Sequence, residues 1–358
     1  YYAPPSGYLA LCTSNFPEPA VIPSKVFDSV LWTGNGSSQS ISSLEFQPDF
    51  TWIKSRSIVD SHHLFDSVRG AGQRLRSDST AAENYNETAY LTSFDSDGFS
   101  LGGDDGVNKN TATYVAWNWK ANGSGSSNTD GNMAETVTVS ANTDAGFSIV
   151  TYTGDGSAAT IGHGLSKSPE MIIIKNRDDS ANWPIYHHKN TSAPETDYLK
   201  LDTTAATADN STFWNDTAPT SSVFTVATDG DVNTDDDKYV AYCFHSVDGY
   251  SKVGSYTGNG NADGTFVYTG FRPKFLLMKV TNTASDWHIV DSVRDVDNVI
   301  QNTLDPNTNA QEGSGSNRFD FTSNGFKLRQ TSGSYNGNGS TYIYMAFAET
   351  PFKYSNAR

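Results

Sequence analysis

The sequence predicts an all-β protein built from three tandem antiparallel β-sandwich domains, of jelly-roll or lectin-like type, related by internal triplication. Four observations predict this class. A long pattern of residues occurs three times, and the chain is rich in turn-forming Gly, Asn, Asp and Ser. The apolar residues form short runs or alternate along the chain, as they do in strands. No segment has the period, caps and length of a helix.

The repeated pattern opens with an aromatic-Thr-Gly-Asn/Asp-Gly turn and later reaches a proline followed by a short apolar run that ends on lysine. The copies start about 120 and about 104 residues apart, which exceeds the short periods of solenoid repeats. Each copy is therefore long enough to form a small domain. The first and last residues of the pattern are Trp32 and Lys54, Tyr152 and Lys175, and Tyr256 and Lys279.

Further landmarks follow in the same order in each copy. The strand-like sequences TYVAWNW, KYVAYCF and IYMAFAE close the three copies, and we align Ala116, Ala241 and Ala346 within them. Val115, Trp117 and Trp119 alternate with Tyr114 and Ala116, so they should face opposite sides of a strand. The predicted ranges are an N-terminal arm or tail of a preceding domain (1–25), sandwich repeats at 26–122, 146–248 and 249–358, and a Gly/Ser-rich linker with one short strand at 123–145.

The composition excludes several classes of partner. The formal net charge is −16, which argues against binding to a nucleic-acid backbone, because that needs clustered Lys and Arg. No apolar run approaches the length of a membrane span, so we expect no membrane insertion. The two cysteines, Cys12 and Cys243, lie in different segments and indicate neither a disulfide framework nor a thiolate metal site.

The amino-acid sequence of several stretches resembles a family of repeated β-sandwich domains. This family occurs in virion proteins of tailed phages, mainly marine and cyanobacterial phages. The resemblance covers nearly the whole chain and rests on GYLALCTSNFPEP, GFSIVTYTGDG, VAYCFHSVDGYSKVGSYTGNG and YIYMAFAETPFKYSNAR. It implies a virion structural, fibre or adhesion role, on an extracellular appendage or the capsid exterior, after synthesis in the bacterial host cytoplasm. It implies no catalytic residues.

Two acidic stretches are candidate calcium sites, because Ca²⁺ prefers loops rich in carboxylate and carbonyl oxygens. Neither stretch completes an EF-hand, and the alternative is that these aspartates are turn residues between strands. The sequence favours turns, so no cofactor is expected beyond this candidate calcium. The candidate ligands are Asp95, Asp97, Asp104, Asp105, Asp229, Asp231, Asp235 and Asp237.

Two further candidates concern ligand binding. Asp66 with Arg69, and Asp291 with Arg294, could hold a ligand, although an ion pair that repeats with the fold is the favoured interpretation. Trp214 lies in the loop-like sequence NSTFWNDTAPT and is the preferred exposed platform for a sugar, because a pyranose face stacks on a flat ring. The tryptophans at 117, 119, 183 and 287 are predicted to be structural.

Catalytic chemistry finds little support in the sequence. A glycosidase needs two carboxylates at a fixed separation, and no acidic residue recurs with a marked context in all copies. The histidines show no metal-ligand spacing and are expected to be exposed on strands or loops.

The sequence therefore predicts a non-enzymatic virion protein, a fibre or appendage component involved in host-surface adhesion. One alternative is a capsid-decorating or tail structural protein without a receptor role; another, less favoured, is a polysaccharide-degrading enzyme. The expected partners are further copies of the chain in a homo-oligomer, such as a trimer, other virion proteins and host surface glycans.

Overall fold

The computed structural model describes residues 4–8, 12, 15 and 19–351. It is all-β, with 41% of residues in strands and 5% in helices, and it contains several antiparallel sheets. The predicted N-terminal arm, 1–25, lies partly outside the described residues. Its last part forms a 3-10 helix, Pro23–Lys25, and Val21 is buried.

Segment 1, residues 26–122, forms a four-stranded sheet in the order β1-β9-β3-β4, a three-stranded sheet β2-β8-β7 and a small pair β5-β6. Its elements are β1 (Phe27–Thr33), β2 (Gln39–Ile41), β3 (Phe50–Ser55), β4 (His62–Asp66), β5 (Gln73–Arg74), β6 (Asn84–Tyr85), β7 (Leu91–Asp95), β8 (Gly98–Leu101), α1 (Asp105–Asn108) and β9 (Thr113–Trp119).

The linker, 123–145, contributes two strands to the main sheet of segment 2, residues 146–248. That sheet has the order β10-β11-β12-β19-β14-β15-β16-β17, and β13 pairs with β18 in a second sheet. The elements are β10 (Ser126–Asn128), β11 (Val137–Asn142), β12 (Phe147–Thr153), β13 (Ala159–Gly162), β14 (Met171–Asn176), β15 (Pro184–His187), β16 (Asp197–Lys200), β17 (Ala208–Asp209), α2 (Ser211–Trp214), β18 (Val223–Val226) and β19 (Lys238–Phe244).

Segment 3, residues 249–358, is described as far as residue 351. It has a four-stranded sheet β20-β26-β22-β23 and a three-stranded sheet β21-β25-β24. Its elements are β20 (Ser251–Thr257), β21 (Phe266–Tyr268), β22 (Phe271–Val280), β23 (His288–Asp291), β24 (Phe319–Thr322), β25 (Gly325–Leu328), α3 (Gly333–Asn336) and β26 (Thr341–Pro351).

The same order of four strands occurs in each segment: the opening strand, the closing strand, the apolar strand that ends near the lysine, and the strand after it. Every pairing among these strands is antiparallel. The strands β3 and β14 are buried at every residue. A strand that is buried on both faces must be apolar on both faces, which explains the continuous apolar runs in the sequence.

We call these four strands the four-stranded sheet of each segment, although in segment 2 they form the middle of the eight-stranded sheet. One face of each covers a core that belongs to its own part of the chain. Ile53, Tyr114 and Ala116 pack there in segment 1. Similar outer clusters lie between residues 137 and 243 and between residues 256 and 348. Each outer cluster includes residues of the smaller sheet, such as Phe99, so the smaller sheet covers the outer face.

The opposite face of each four-stranded sheet contributes to one central core, the largest cluster, which contains side chains of all three segments. The rings of Trp119 and Phe347 have centroids 5.5 Å apart, and Phe244 lies 6.3 and 6.0 Å from them. Each of these residues stands near the end of the closing strand of its segment. The predicted domain ranges therefore share their largest core.

The predicted alternation in the closing strands is confirmed. Val115, Trp117 and Trp119 lie in the central core, while Tyr114 and Ala116 lie in the outer core. The alignment of Ala346 with Ala116 and Ala241 is wrong by two residues.

The correct counterpart of these alanines in segment 3 is Tyr344. Ala116 pairs with Ile53 and Ala241 with Ile174, the residues before the repeated lysines, and Met278 in the same position pairs with Tyr344. Gly254 across the strand gives space to the tyrosine ring, since a Cβ there would lie 2.8 Å from its Cζ. Side chains alternate between the two faces of a sheet, so an alignment shifted by two residues still assigns each residue to the correct face.

The repeated Thr-Gly-Asn/Asp-Gly turn is held by a buried asparagine near the end of each segment. The Oδ1 atoms of Asn108, Asn233 and Asn336 each accept a hydrogen bond at 3.0 Å from the backbone N–H of the Asn or Asp in the turn. Their Nδ2 groups donate to carbonyl oxygens of the same turn and of a residue shortly after the preceding strand. The motif is thus explained by a structural loop anchor.

The anchor also explains the glycines. A Cβ on Gly34 would lie 2.2 Å from the carbonyl oxygen of Lys109, and Gly36 has a φ of +71°. Gly34 therefore has no space for a side chain, and Gly36 has a left-handed backbone conformation that only glycine adopts without strain.

Replacing the anchor should destabilise the fold. Asn108→Ala leaves one backbone N–H and two carbonyl groups without their partner, so we expect a loss of about 3 kcal/mol in the free energy of unfolding. Urea denaturation measures this loss. The exposed Asn110→Ala is the matched control and should change the free energy by less than about 0.5 kcal/mol. Equal effects of the two substitutions would contradict the anchor.

Candidate functional site

The three segments contact one another in a closed ring. The backbone N–H of Ala181 donates to the carbonyl of Thr80 at 2.9 Å, which joins segment 2 to segment 1. The backbone N–H of Ser285 donates to Thr204 at 2.9 Å, which joins segment 3 to segment 2. The ring closes where the N–H of Asp60 donates to Asn309 at 3.0 Å. We call these contacts the 1–2, 2–3 and 3–1 junctions.

Two predicted structural tryptophans reinforce these junctions. The Nε1 group of Trp183 donates to the carbonyl of Arg76 at 3.0 Å, and that of Trp287 donates to the carbonyl of Lys200 at 2.9 Å. Both side chains are buried, as are Trp117 and Trp119. The prediction that these four tryptophans are structural is confirmed.

The predicted Asp66–Arg69 pair lies buried at the 1–2 junction. Arg69 Nε is 2.5 Å from Asp66 Oδ2, and Arg69 Nη1 is 2.6 Å from Glu83. The hydroxyl of Tyr242, from segment 2, donates to Asp66 at 2.8 Å. Arg177 of segment 2 adds a second ion pair to Glu83 at 2.8 Å. The pair is enclosed and fully engaged, so it presents no open face to a ligand.

The predicted Asp291–Arg294 pair has the same arrangement at the 3–1 junction. Arg294 Nε lies 2.7 Å from Asp291, whose carboxylate accepts a hydrogen bond from Trp117 Nε1 of segment 1 at 3.0 Å. Glu312 pairs with Arg294 at 3.1 Å and with Arg56 of segment 1 at 2.9 Å. The ion-pair interpretation, favoured from the sequence, agrees with this burial.

The 2–3 junction replaces all the charged groups of this arrangement with neutral ones. His187 and Asn190 stand where the other segments have Asp and Arg, and Asn190 accepts a hydrogen bond from Thr207 at 2.6 Å. Met345 occupies the position of Trp117 and Tyr242 and has no group that donates to a carboxylate. His187 instead lies with Nε2 3.3 Å from the carbonyl of Tyr344. The charged set is therefore kept or lost as a unit.

Two of the three lysines that end the repeated runs are junction residues, whereas Lys54 Nζ donates to the carbonyl of Ser55 in its own segment at 2.9 Å. Lys175 Nζ donates to the carbonyls of Thr80, in segment 1, and Ala181 at 3.0 and 2.9 Å. Lys279 Nζ donates to Thr204, in segment 2, at 3.1 Å. Burial lowers the pKa of both lysines, and of Lys54, to about 8.

The candidate calcium ligands do not gather. Across residues 19–351 and the other described positions, no three His, Cys, Asp or Glu side chains come together as metal ligands. Most of these aspartates are engaged in local structure. Asp95 accepts from Ser93 and Ser100, Asp104 caps α1 and pairs with Arg74, Asp105 pairs with Lys109, Asp229 accepts from the N–H of Asp231, Asp231 pairs with Lys200, and Asp237 accepts from Asn176.

The remaining two candidates, Asp97 and Asp235, lie in turns next to strands, in accordance with the turn interpretation. One of these regions contains an open polar hollow of about 290 Å³, lined by Asp179, Asp229 and Asp231. Lys200 is bound to Asp231 at 2.9 Å, which offsets the negative charge there.

Trp214 is not an exposed platform, and that prediction is wrong. The indole is 2% exposed and donates from Nε1 to the carbonyl of Asp197 at 3.1 Å. Asn210 caps α2 by accepting from the N–H of Thr212, so the loop-like sequence forms a helical turn. This turn places Phe213 and Trp214 in the outer core. The polar residues around the tryptophan concealed this in the sequence.

The expectation of exposed histidines is also wrong. Six of them are buried, and His188 is half-buried. His62 accepts a hydrogen bond from Trp52 Nε1 at 2.9 Å, and burial lowers the pKa of His187 to about 3. Burial also lowers the pKa of His62, His63, His163 and His245, which favours the neutral form of these rings. The buried six are His62, His63, His163, His187, His245 and His288.

One surface that the sequence did not identify is a pair of aromatic rings on β21. Phe266 is 46% exposed and Tyr268 is 62% exposed, although both lie within a strand. They alternate with the buried Val267 and so share the solvent face. The signal that could have revealed them is a comparison of the copies, because Ser40 and Thr160 occupy the position of Phe266.

The chain matches a known protein family. A family model described as a domain of unknown function (DUF7483) matches residues 22–351. No curated protein matches the chain. Within the described part of the chain, no helix has both the length and the apolar character needed to cross a membrane.

The charged and neutral junctions should respond differently to truncation. Asp291→Ala leaves Arg294 buried without its closest counter-ion, so we expect a loss of about 3–5 kcal/mol in the free energy of unfolding. His187→Ala is the matched change at the neutral junction and should cost only about 1–2 kcal/mol. Denaturant unfolding of both variants measures the difference. An equal or larger loss for His187→Ala would contradict this account.

The buried lysines should make stability rise with pH above 8. The folded protein releases a proton from Lys175 near pH 8, whereas the unfolded chain keeps it until about pH 10.4. The unfolded state thus binds more protons in this window, and stability rises with pH. In Lys175→Met that contribution disappears, so wild type should gain stability relative to the variant between pH 7.5 and 9.5.

Unfolding free energies measured in urea across this pH range give the comparison. Differences between wild type and variant cancel the titration of tyrosines and cysteines that both proteins share. Lys238→Met, at the exposed start of β19, is the control and should show a constant difference from wild type. A constant difference for Lys175→Met as well would show that the buried lysine does not titrate early.

Proposed function

This chain belongs to the DUF7483 family over residues 22–351, and from that premise we propose that it is a non-enzymatic structural component of a tailed-phage virion. It is a fibre or appendage protein that contributes to adhesion at the host surface. The proposal rests on two observations: the amino-acid sequence resembles that of repeated virion domains, and the three segments are joined in a closed ring around one core.

The observation that carries the proposal is the closed ring of junctions around one core. A single chain with a shared aromatic core and reciprocal hydrogen bonds at the 1–2, 2–3 and 3–1 junctions resists local opening. A protein exposed outside a cell on a virion needs such resistance to proteolysis. The loops at the outer rim are free to vary on this rigid base, which suits recognition.

We further propose that the three segments arose by triplication of one sandwich unit. Each segment has the same four-strand order, the same buried asparagine anchor and the same buried lysine in the apolar strand. Three independent features that recur in one order support a common origin. The outer sheet of each segment, packed over its four-stranded sheet, gives the unit its two layers.

The second candidate function is a capsid-decorating or tail component without a receptor role. The acidic composition favours solubility of the surface, and the protein would then serve only as a spacer between other virion proteins. Homo-oligomers, including trimers, fit both candidates. An enzymatic role in polysaccharide cleavage is the weaker idea, because most of the carboxylates considered are engaged in turns and ion pairs.

Virion localisation tests the proposal. Antibodies against the purified chain should label appendages of intact virions by immunoelectron microscopy, and the chain should sediment with purified virions in a density gradient. Purified chain should also reduce phage adsorption to host cells. Labelling of the capsid surface without an effect on adsorption would favour the decorating role. Recovery of the chain only in the soluble lysate fraction would overturn both.

A further inference from the structure

We propose that Phe266 and Tyr268 form a stacking platform for the pyranose ring of a surface glycan. This inference rests on the adhesion role proposed above and gives it a site and a ligand class. The platform lies on β21, the terminal strand of the outer sheet β21-β25-β24 in segment 3.

The two rings stand side by side on one face of the sheet. Residues two apart on a strand point the same way and are separated by about 7 Å, which is about the width of one or two sugar rings. Both rings are exposed, at 46% and 62%. Among the described residues they are the only exposed large apolar side chains that share a strand face in this way.

The rest of the sheet face supplies polar groups beside the rings. The register forms two rows across the three strands. The first row is Phe266, Lys327 and Asp320. In the second row, Tyr268 is opposite Gly325, which is opposite Thr322. These polar groups already have partners in the protein: Lys327 pairs with Asp263 at 2.5 Å, Asp320 pairs with Arg329 at 3.3 Å, and the Thr322 hydroxyl donates to the carbonyl of Gly325 at 3.0 Å. Their remaining donor and acceptor sites lie beside the two aromatic rings and can hydrogen-bond sugar hydroxyls.

Gly325 has no side chain in the second row, and the tip of the Phe266 ring lies next to it, since a Cβ there would be 3.2 Å from Phe266 Cζ. The local backbone in segment 3 leaves no room for a side chain at this position, because that Cβ would also lie 2.0 Å from the carbonyl oxygen of Val267. No side chain of Gly325 therefore separates the Phe266 ring from the second row.

The fold does not need aromatic residues at these positions. In segment 1 the residue that corresponds to Phe266 is Ser40, whose hydroxyl bonds to Ser100 across the strands at 2.9 Å. In segment 2 the corresponding residues are Thr160 and Gly162. The inward residue between them stays aliphatic in all segments. The exposed rings of segment 3 are thus an addition on the solvent side that the other two segments lack.

The size of the platform favours a glycan over a protein. A fully buried aromatic side chain covers about 150–250 Å², so these partly exposed rings offer roughly 250 Å² together. A stable protein interface needs about 800 Å² on each partner, with an apolar centre. The apolar part of this surface suits one or two sugar rings, and the charged groups that flank it would be poorly matched to an apolar protein interface.

The test compares two double variants on a glycan array. Wild type, biotinylated and displayed on streptavidin for multivalency, should bind at least one class of pyranoside. Phe266→Ser/Tyr268→Ser, which introduces the residue present in segment 1, should reduce that binding about tenfold or more. Val59→Ser/Val296→Ser removes two other exposed apolar side chains, which are 64% and 59% exposed, and should bind as wild type does.

The outcomes separate this site from the proposed function. Thermal melting should show both variants to be folded, since all four side chains are exposed. No bound glycan for wild type, or binding unchanged in Phe266→Ser/Tyr268→Ser, would overturn the platform even if the chain is located in virions. Sedimentation that shows wild-type self-association lost only in this variant would overturn it in favour of a protein contact. Glycan binding with no virion location would sustain the platform and refute the virion role.

Discussion

The packing of Trp119, Phe244 and Phe347 against one another is the contact on which the rest of the structure depends. Each ring comes from the closing strand of a different segment, and together they lie in a core that includes strands from all three. A four-stranded sheet with two apolar faces cannot be stable with one face in water. The smaller sheet covers the outer face, and only the other two segments cover the inner one. The segments are therefore mutually dependent.

The junctions show how this shared core tolerates different chemistry at equivalent places. An Asp–Arg pair is present where the adjoining segment supplies a donor, as Tyr242 and Trp117 do. Where Met345 stands instead, the Asp and Arg are absent, and a neutral His and Asn replace them. A buried carboxylate without its donor and its arginine would be costly, so partial sets are unfavourable. The presence of two charged junctions and one neutral junction follows from this all-or-none requirement.

The sequence predicted the features that depend on short-range pattern. The all-β class, the alternation in the closing strands and the structural role of four tryptophans followed from periodicity and repetition. The shared core could not be predicted, because an apolar run such as FTWIK looks the same whether it faces its own domain or its neighbours. Trp214 and the histidines were misplaced for a related reason. Their polar neighbours in sequence suggest exposure, while α2 and the strands turn these side chains inward.

The exposed rings on β21 were not predicted, because the comparison of the three copies considered only the residues that they have in common. A functional addition is a departure from the shared pattern, so it appears only as the position where Phe266 replaces Ser or Thr. In contrast, Asp66–Arg69 and Asp291–Arg294 attracted attention because they recur, and they prove to be parts of the junctions. In a repeated fold, recurrence marks the residues that hold the units together, and departure marks the surfaces available for recognition.

Scanning calorimetry of wild type and Phe244→Ala tests the shared core most directly. The account predicts one cooperative transition for wild type and one for the variant, with the whole transition shifted down by a loss of about 3–5 kcal/mol. A change within segment 2 then destabilises segments 1 and 3 equally. Separate transitions for the segments, of which Phe244→Ala moves only one, would contradict the claim that they depend on a common core.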